Sequence, residues 1–167
     1  MPETLLPKEL VEKALEVVEA NRKAARRIAV AESCTGGLVS AAITEIPGSS
    51  DVFEAGYVTY SNASKIHELH VSEDVVDTFG SVSVATAWAM ARGALAASEA
   101  DVAVAITGIA GPGGGSPSKP VGTVVFALAE RDADPAEIVA DQKLFKDEGR
   151  AAIRLQAALC ALDLLVP

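Results

Sequence analysis

Cysteine, histidine, aromatic side chains and long apolar runs are all scarce in this chain of 167 residues. Its two cysteines, Cys34 and Cys160, cannot form a disulfide framework. The two histidines, His67 and His70, would need a third ligand to hold a metal, so we expect solvent-exposed helix residues instead. No apolar stretch approaches the roughly 20 residues that span a bilayer, and the N-terminus lacks the basic and then apolar segments of a signal peptide. These absences predict a cytoplasmic protein with no membrane partner and no bound metal.

Basic residues are also outnumbered, with 14 lysines and arginines against 23 aspartates and glutamates and a net charge of −9. Binding to nucleic acid relies on lysine and arginine, so this balance argues against a nucleic-acid partner. Hydrophobic residues make up 50% of the chain and charged residues 22%, which excludes a disordered protein. The length is typical of one domain, so we expect a single domain over residues 1–167.

The apolar pattern predicts strands that alternate with helices. Helices are predicted at 7–25, 35–46, 62–70, 84–98 and 148–166, and strands at 28–31, 52–60, 101–107, 121–129 and 138–145. Such alternation is typical of an α/β protein whose helices cover both faces of the sheet. The connection at 131–135 has the length of a hairpin, so we expect one antiparallel strand and a mixed sheet.

The first candidate for chemistry is the segment Ala-Glu-Ser-Cys-Thr-Gly-Gly at 31–37, where a strand is predicted to lead into a helix. A helix N-terminus offers free N–H groups to a phosphate or an oxyanion, and Gly36 and Gly37 would let a ligand approach the backbone closely. Ser33 could be a nucleophile, but the local pattern favours an ordinary helix cap. Cys34 is a rival nucleophile, since a helix N-terminus stabilises a thiolate. The segment lacks the Gly-x-Ser-x-Gly pattern, and no motif supports a Ser-His-Asp triad.

The second candidate is the stretch 56–65, which places several hydroxyl groups and one lysine around a predicted strand-to-helix turn. A partly desolvated Lys65 could act as a general base, and Tyr60 could donate or relay a proton. The alternative is an ordinary strand followed by a solvated helix lysine, and the stretch alone favours that alternative.

The third candidate is the loop 107–116, which follows the predicted central strand and is rich in glycine. Ligands of open α/β sheets bind beyond the carboxyl ends of the strands, which favours contact with a ligand. A plain surface loop is equally well supported, because connecting segments usually run over the surface. The loop matches neither a Walker A motif nor a dinucleotide fingerprint.

Two arginines, Arg150 and Arg154, lie early in the last predicted helix. They could contact a phosphate or pair with Asp147 and Glu148, and pairing is the default expectation.

Taken together, six ordered segments identify a family. They are Ala-Glu-Ser-Cys-Thr-Gly-Gly at 31–37, Pro-Gly-Ser-Ser at 47–50, Val-Thr-Tyr-Ser-Asn at 58–62 with Lys65, Ser-Val-Ser at 81–83, Thr-Gly-Ile-Ala-Gly-Pro at 107–112 and Lys-Pro-Val-Gly-Thr-Val at 119–124. From about residue 5 to residue 165 the chain closely resembles the CinA C-terminal domain family, the nicotinamide-nucleotide amidases. Larger members carry a further N-terminal domain, so we expect this chain to be a stand-alone form.

The resemblance implies a three-layer α/β/α sandwich with a mixed, mostly parallel sheet. It implies hydrolysis of the carboxamide of nicotinamide mononucleotide (NMN) to nicotinate mononucleotide and ammonia, with no cofactor and no metal. The family's nucleophile falls on Ser33, its base on Lys65, and its assisting hydroxyl groups on Tyr60 and Thr107. The arginine of its Gly-Asp-Arg motif falls on Arg150, although this chain has Glu-Gly-Arg at 148–150.

The resemblance also implies the substrate contacts and the partners. The residues expected to contact the substrate are Cys34, Thr35, Gly36, Gly37, Gly108 and Arg150, with backbone N–H groups around 34–37 holding the oxyanion. NMN is then the small-molecule partner, and the apolar first and last helices favour a homo-oligomer. Two alternatives stay open, namely a catalytically silent nucleotide-binding or regulatory relative and an amidohydrolase that acts on a different carboxamide.

Overall fold

The computed structural model describes residues 3–167, in which one five-stranded sheet is flanked by helices. In chain order the elements are α1 (Lys8–Lys23), β1 (Ile28–Glu32), α2 (Leu38–Thr44), a single 3₁₀ turn (Ser49–Asp51), β2 (Phe53–Val58), α3 (Asn62–Leu69), α4 (Glu73–Phe79), α5 (Val84–Ala96), β3 (Val102–Gly108), β4 (Thr123–Glu130), β5 (Val139–Leu144) and α6 (Arg150–Leu165).

The strands lie in the order β2-β1-β3-β4-β5. Strand β1 is parallel to both of its neighbours, β2 and β3, whereas β4 is antiparallel to β3 and to β5. Four strands therefore point the same way and only β4 is reversed, which confirms the expected mixed, mostly parallel sheet.

The two faces of the sheet carry side chains of different size. In β3, Val102, Val104 and Ile106 face a core formed with α1, α2 and α6. The intervening Ala103 and Ala105 face a second core formed with α3, α4 and α5. Side chains of a strand alternate between the faces, so this pattern places helices on both sides and confirms the three-layer sandwich.

The apolar faces of the first and last helices are buried inside the molecule. Leu10, Val17 and Val18 of α1 belong to the same core as Ala161 and Leu165 of α6, and the two helices pack against each other. These two faces are therefore used within one chain and are not free to form a contact between copies, and the homo-oligomer stays a prediction.

Two further features differ from the sequence-based expectation. Helix α4 was not predicted, and α2 begins at Leu38 rather than at Thr35 because residues 33–37 form a turn. Every helix within residues 3–167 is too short or too polar to cross a lipid bilayer.

Candidate functional site

A cavity of about 280 Å³ lies beyond the carboxyl ends of β1 and β3. From β1 the chain passes to β2, which pairs with one edge of β1, whereas the later strand β3 pairs with the other edge. The cavity therefore lies where the strand order reverses, which is the usual ligand site of open α/β sheets. Its lining combines strand ends, a glycine-rich loop and the start of α6: Ser33, Cys34, Tyr60, Lys65, Ser81, Val82, Thr107, Gly108, Ile109, Ala110, Gly111, Gly113, Gly114 and Arg150.

Ser33 and Lys65 meet at the base of this cavity. The Nζ atom of Lys65 lies 3.0 Å from the Oγ atom of Ser33. The Ser33 backbone N–H donates to the carbonyl of Ile106 at 2.9 Å, which extends the pairing of β1 with β3 by one residue. This bond anchors the first residue of the turn 33–37 to the sheet.

Helix α3 carries Lys65 into this position. The hydroxyl of Ser61 caps the helix by accepting from the N–H of Ser64 at 3.0 Å, so α3 begins at Asn62, a short turn after the end of β2 at Val58. One turn later, the Lys65 side chain reaches back and donates to the carbonyls of Thr59 and Tyr60 at 3.0 and 3.2 Å. The same turn thus supplies both the lysine and the carbonyls that orient it.

The Lys65 amine is buried, with only 1% of the residue exposed. Burial lowers the pKa of Lys65 below its ordinary value, because a charged amine loses its hydration there. Among residues 3–167 no carboxylate lies within ion-pair distance of Nζ. A neutral amine can donate to the two carbonyls and still present its lone pair to the Ser33 hydroxyl, as a general base requires.

Cys34 lines the cavity, but its thiol is not activated. The residue is 5% exposed, and burial raises the pKa of the thiol to about 11, with the nearby Glu32 adding to the rise. The expected stabilisation of a thiolate at this position is therefore wrong, because loss of hydration outweighs the favourable charges of Arg154 and Lys65.

The N-terminus of α2 is occupied by a carboxylate of the chain itself. Glu32 is fully buried and accepts hydrogen bonds from the backbone N–H groups of Val39 and Ser40 at 2.9 and 3.1 Å. It also accepts from the hydroxyl groups of Thr35 and Ser40 at 2.7 and 2.8 Å. The N–H groups of Val39 and Ser40 are therefore not free for a ligand, whereas the N–H groups expected to hold the oxyanion, around 34–37, lie in the turn before them.

The expected substrate contacts at 34–37 are therefore only partly gathered at the cavity. Cys34 lines it, whereas Thr35, Gly36 and Gly37 do not. Gly36 and Gly37 have φ angles of 60° and 96°, so their role in the structure is to let the chain turn from β1 into α2. Among residues 3–167 no other residue accepts from the N–H of Cys34, which leaves it available beside Ser33.

Tyr60 and Arg150 meet at the mouth of the cavity. The guanidinium of Arg150 donates to the hydroxyl oxygen of Tyr60 at 3.0 Å and to the carbonyl of Gly111 at 2.8 Å. A guanidinium only donates, so the hydroxyl hydrogen of Tyr60 is not used in this contact, and within residues 3–167 it has no acceptor. The default pairing of Arg150 with Asp147 and Glu148 is wrong; Glu148 pairs instead with Lys146.

Thr107 and Gly108 form the opposite wall at the end of β3. The Thr107 hydroxyl donates to the carbonyl of Ser81 at 2.8 Å, so it presents only acceptor electron pairs to the cavity. A Cβ at Gly108 would lie 2.8 Å from Cγ2 of Val124, so a larger residue there would disturb the pairing with β4. The loop that follows contributes Ile109, Ala110 and three glycines to the lining. The sequence had supported contact with a ligand and a plain surface loop equally at this position.

Two residues close to the site, Arg154 and Glu32, have contacts that the sequence-based interpretation did not anticipate. Arg154 donates to the carbonyls of Cys34 and Thr35 at 3.1 and 3.0 Å, so its default pairing with an acidic neighbour is also wrong. Glu32 went unnoticed, although a carboxylate at the end of a wholly apolar strand and just before a helix was a usable signal. His67 and His70 are exposed as expected. Nowhere in the described part of the chain do three or more potential metal ligands cluster.

Comparison with known proteins agrees with the geometry. The family model of the CinA C-terminal domain matches residues 11–167. The chain is 48% identical to the nicotinamide-nucleotide amidohydrolase PncC of Pseudomonas putida, over 90% of this chain and 91% of that protein. It is also 48% identical to the PncC protein of Enterobacter agglomerans, over 93% of each.

A solved structure gives the same answer at the level of the fold. The competence/damage inducible protein CihA of Agrobacterium tumefaciens superimposes with a TM-score of 0.93 at 43% identity and covers 98% of each chain. Because the family model spans nearly the whole chain and the fold agrees over its length, the chain belongs to the CinA C-terminal domain family.

Proposed function

We propose that this protein hydrolyses the carboxamide of NMN to nicotinate mononucleotide and ammonia, with Ser33 as nucleophile and Lys65 as its base. The observation that carries the proposal is the 3.0 Å contact between Ser33 Oγ and a buried Lys65 amine without a counter-charge. We assign NMN as the substrate because the relatives in Pseudomonas putida and Enterobacter agglomerans are named as nicotinamide-nucleotide amidohydrolases.

Acylation begins when the Lys65 amine takes the proton of the Ser33 hydroxyl. The Ser33 oxygen forms a bond to the amide carbon, and the carbonyl oxygen becomes an oxyanion. The N–H of Cys34 is the donor placed to hold that oxyanion, a contact worth about 3–4 kcal/mol in other hydrolases. The positive pyridinium ring of NMN further disfavours protonation of Lys65 before attack, because like charges repel.

The C–N bond then breaks and the amide nitrogen leaves as ammonia. The proton it needs comes from the charged Lys65 amine or through the free hydroxyl hydrogen of Tyr60. The oxygen of Thr107 can accept a hydrogen bond from the carboxamide NH₂, since its own hydrogen is given to Ser81. Lys65 next removes a proton from water, which attacks the acyl group, and Ser33 leaves as the hydroxyl to release nicotinate mononucleotide.

The substrate phosphate needs a cationic partner, which Arg150 supplies at the mouth of the cavity. Its guanidinium is oriented by Gly111 and Tyr60, so it is held beside the loop 108–114 rather than free in solvent. Arg150 therefore contributes to binding the nucleotide and, through Tyr60, to the proton donor.

Release of ammonia from NMN by the purified protein tests the proposal, with formation of nicotinate mononucleotide measured by chromatography. We expect both products in equal amounts, a much lower rate with unphosphorylated nicotinamide riboside, and loss of that preference in Arg150→Ala. Tight binding of NMN without ammonia would favour a silent nucleotide-binding relative. Ammonia from another carboxamide but not from NMN would favour an amidohydrolase of different specificity.

We also propose that residues 1–167 act as one domain, since a single sheet carries both cores. A cytoplasmic location stays a prediction. The test of the domain is a single unfolding transition in urea that fluorescence and circular dichroism report at the same midpoint.

A homodimer through β5 is the form of self-association that the surface favours. This edge strand exposes Val139 and Leu144, which are 53% and 66% exposed, next to Ile138 at 54%. If two copies pair their β5 strands antiparallel about Gln142, Asp141 of each copy faces Lys143 of the other, so the charges complement each other.

Sedimentation of the wild type and of Val139→Lys/Leu144→Lys tests this dimer. We expect a dimeric wild type and a monomeric variant of unchanged helix content. A monomeric wild type, or a variant that remains dimeric, would contradict the β5 contact.

A further inference from the structure

The turn at 33–37 needs support from outside itself. It carries both the Ser33 nucleophile and the Cys34 N–H, yet its last two residues are glycines with positive φ, and Gly37 offers no side chain to cap α2. Gly36 makes one local bond to the carbonyl of Ser33 at 3.0 Å. A turn with so few internal contacts would allow Ser33 and Cys34 to move by fractions of an ångström, which is costly in a catalytic site.

Glu32 supports the turn from the sheet side. Its buried carboxylate joins the Thr35 hydroxyl inside the turn to the first N–H groups of α2. These contacts fix the distance between the end of β1 and the start of α2. A carboxylate at a helix N-terminus is also electrostatically favourable.

Arg154 supports the turn from the α6 side. Its Nε and Nη2 atoms donate to the consecutive carbonyls of Cys34 and Thr35, and a Cβ on Gly36 would lie 3.4 Å from Nη2. Among residues 3–167 Arg154 has no carboxylate within ion-pair distance. The planar guanidinium fork thus fixes two peptide planes at once, which a lysine could not do.

Neither residue lines the cavity, so neither touches the reacting atoms. The two side chains instead hold different atoms of the turn, Glu32 the Thr35 hydroxyl and Arg154 the carbonyls of Cys34 and Thr35. We propose that Glu32 and Arg154 are positioning residues that set the orientation of Ser33 and of the Cys34 N–H for attack on the carboxamide, and this rests on the proposed amidase function.

The direct test is Arg154→Ala, in which kcat for NMN is expected to fall about 100-fold while KM changes by less than threefold. Added guanidinium ion at millimolar concentration should restore a measurable part of kcat, and urea at the same concentration should not. Arg154→Lys should remain nearly as impaired as Arg154→Ala, because one amine cannot replace the fork.

Arg131→Ala is the matched control. Arg131 also uses its guanidinium on backbone carbonyls, those of Ala100, Leu95 and Ser98, but at the end of the sheet remote from the cavity. It should lose stability comparable to that lost in Arg154→Ala and keep its kcat. If Arg131→Ala loses as much kcat, or if guanidinium fails to rescue Arg154→Ala, the role of Arg154 is merely structural.

Labelling of Ser33 by a small fluorophosphonate, followed by intact mass, separates this inference from the choice of substrate. Wild-type protein that is labelled at Ser33 but releases no ammonia from NMN would contradict the proposed function. In that case, much slower labelling of Arg154→Ala would still support the positioning role. Equal labelling rates in wild type and Arg154→Ala would overturn the positioning role. Absence of labelling and of ammonia release in the wild type would overturn both.

Discussion

The residue that determines how this site works is Lys65, an amine buried without a counter-charge. The pKa of Lys65 is lowered by burial, and the one group that would raise it, Cys34, is a neutral thiol at physiological pH because its own pKa is about 11. The amine therefore becomes neutral at a lower pH than an ordinary lysine with a pKa of about 10.4. Its reactivity comes from what surrounds it rather than from a partner acid.

We predict that kcat for NMN rises with pH through this lowered pKa. Below the pKa, Lys65 is protonated and cannot accept the Ser33 proton; above it, the neutral amine predominates and the rate levels off. Steady-state rates from pH 6 to 9 measure the profile, and single-turnover rates remove any contribution from product release. A single-turnover rate that does not change over this range would contradict a lysine base.

The second prediction separates Ser33 from Cys34. Ser33→Ala should abolish hydrolysis yet still bind NMN, because the cavity keeps its other walls. Cys34→Ala should keep most of the turnover, since the Cys34 N–H rather than its thiol serves the reaction. Product formation and calorimetric binding of NMN measure the two effects.

Lys65→Ala provides the internal check on the same pair. It should be nearly as damaging as Ser33→Ala, and the double variant little worse than either, because the two residues act as one unit. An inactive Cys34→Ala together with inactivation of the wild type by a thiol reagent, against which NMN protects, would disprove the serine assignment.

At the scale of the elements, the sheet shows a division between a face of alanines and a face of larger side chains. The third prediction is that Ala103→Leu destabilises the protein by about 1–3 kcal/mol, because the new side chain must displace α5 from its close packing. The midpoint and slope of urea unfolding give this value. Ala133→Leu, at an exposed turn, is the control and should stay within about 0.5 kcal/mol of wild type.

The strands and long helices follow from local patterns that the sequence displays. The continuous apolar run of β3 reflects burial on both faces of the sheet, and the helical spacing of apolar residues in α1 reflects burial on one side. Neighbouring residues suffice to reveal both patterns. Helix α4 was missed because its seven residues begin with two acids and bury only Val76. Helix α2 was predicted to begin too early because Glu32, which accepts from the N–H groups of Val39 and Ser40, was not recognised as its cap.

The same distinction between local patterns and long-range contacts applies to the candidate site. Ser33, Lys65, Tyr60 and Thr107 were expected from motifs, and the structure brings them together around one cavity. Arg150 and Arg154 were assigned acidic neighbours along the chain, whereas their acceptors lie 39 to 120 residues away. Contacts of that range are set by how layers pack, which no local pattern contains.

For the molecule as a whole, we predict that activity survives removal of divalent metal ions. The proposed chemistry uses an amine, three hydroxyl groups and a backbone N–H, and the described residues include no cluster of three or more metal ligands. Ammonia release after dialysis against a chelator should equal that of untreated protein. Loss of turnover that zinc or magnesium restores would contradict this.

The parallel pairing of β1 with β3 has a consequence for how the protein reaches its working form. The two strands meet across long chain separations, such as the 74 residues between the Arg27 N–H and the Asp101 carboxylate that accepts from it. Contacts so far apart form slowly, because a long loop must close before they stabilise anything. Ser33 and Thr107 come from these same two strands, so the catalytic cleft is assembled only once that late step is complete. During refolding, the return of hydrolysis should therefore lag behind the return of helical signal.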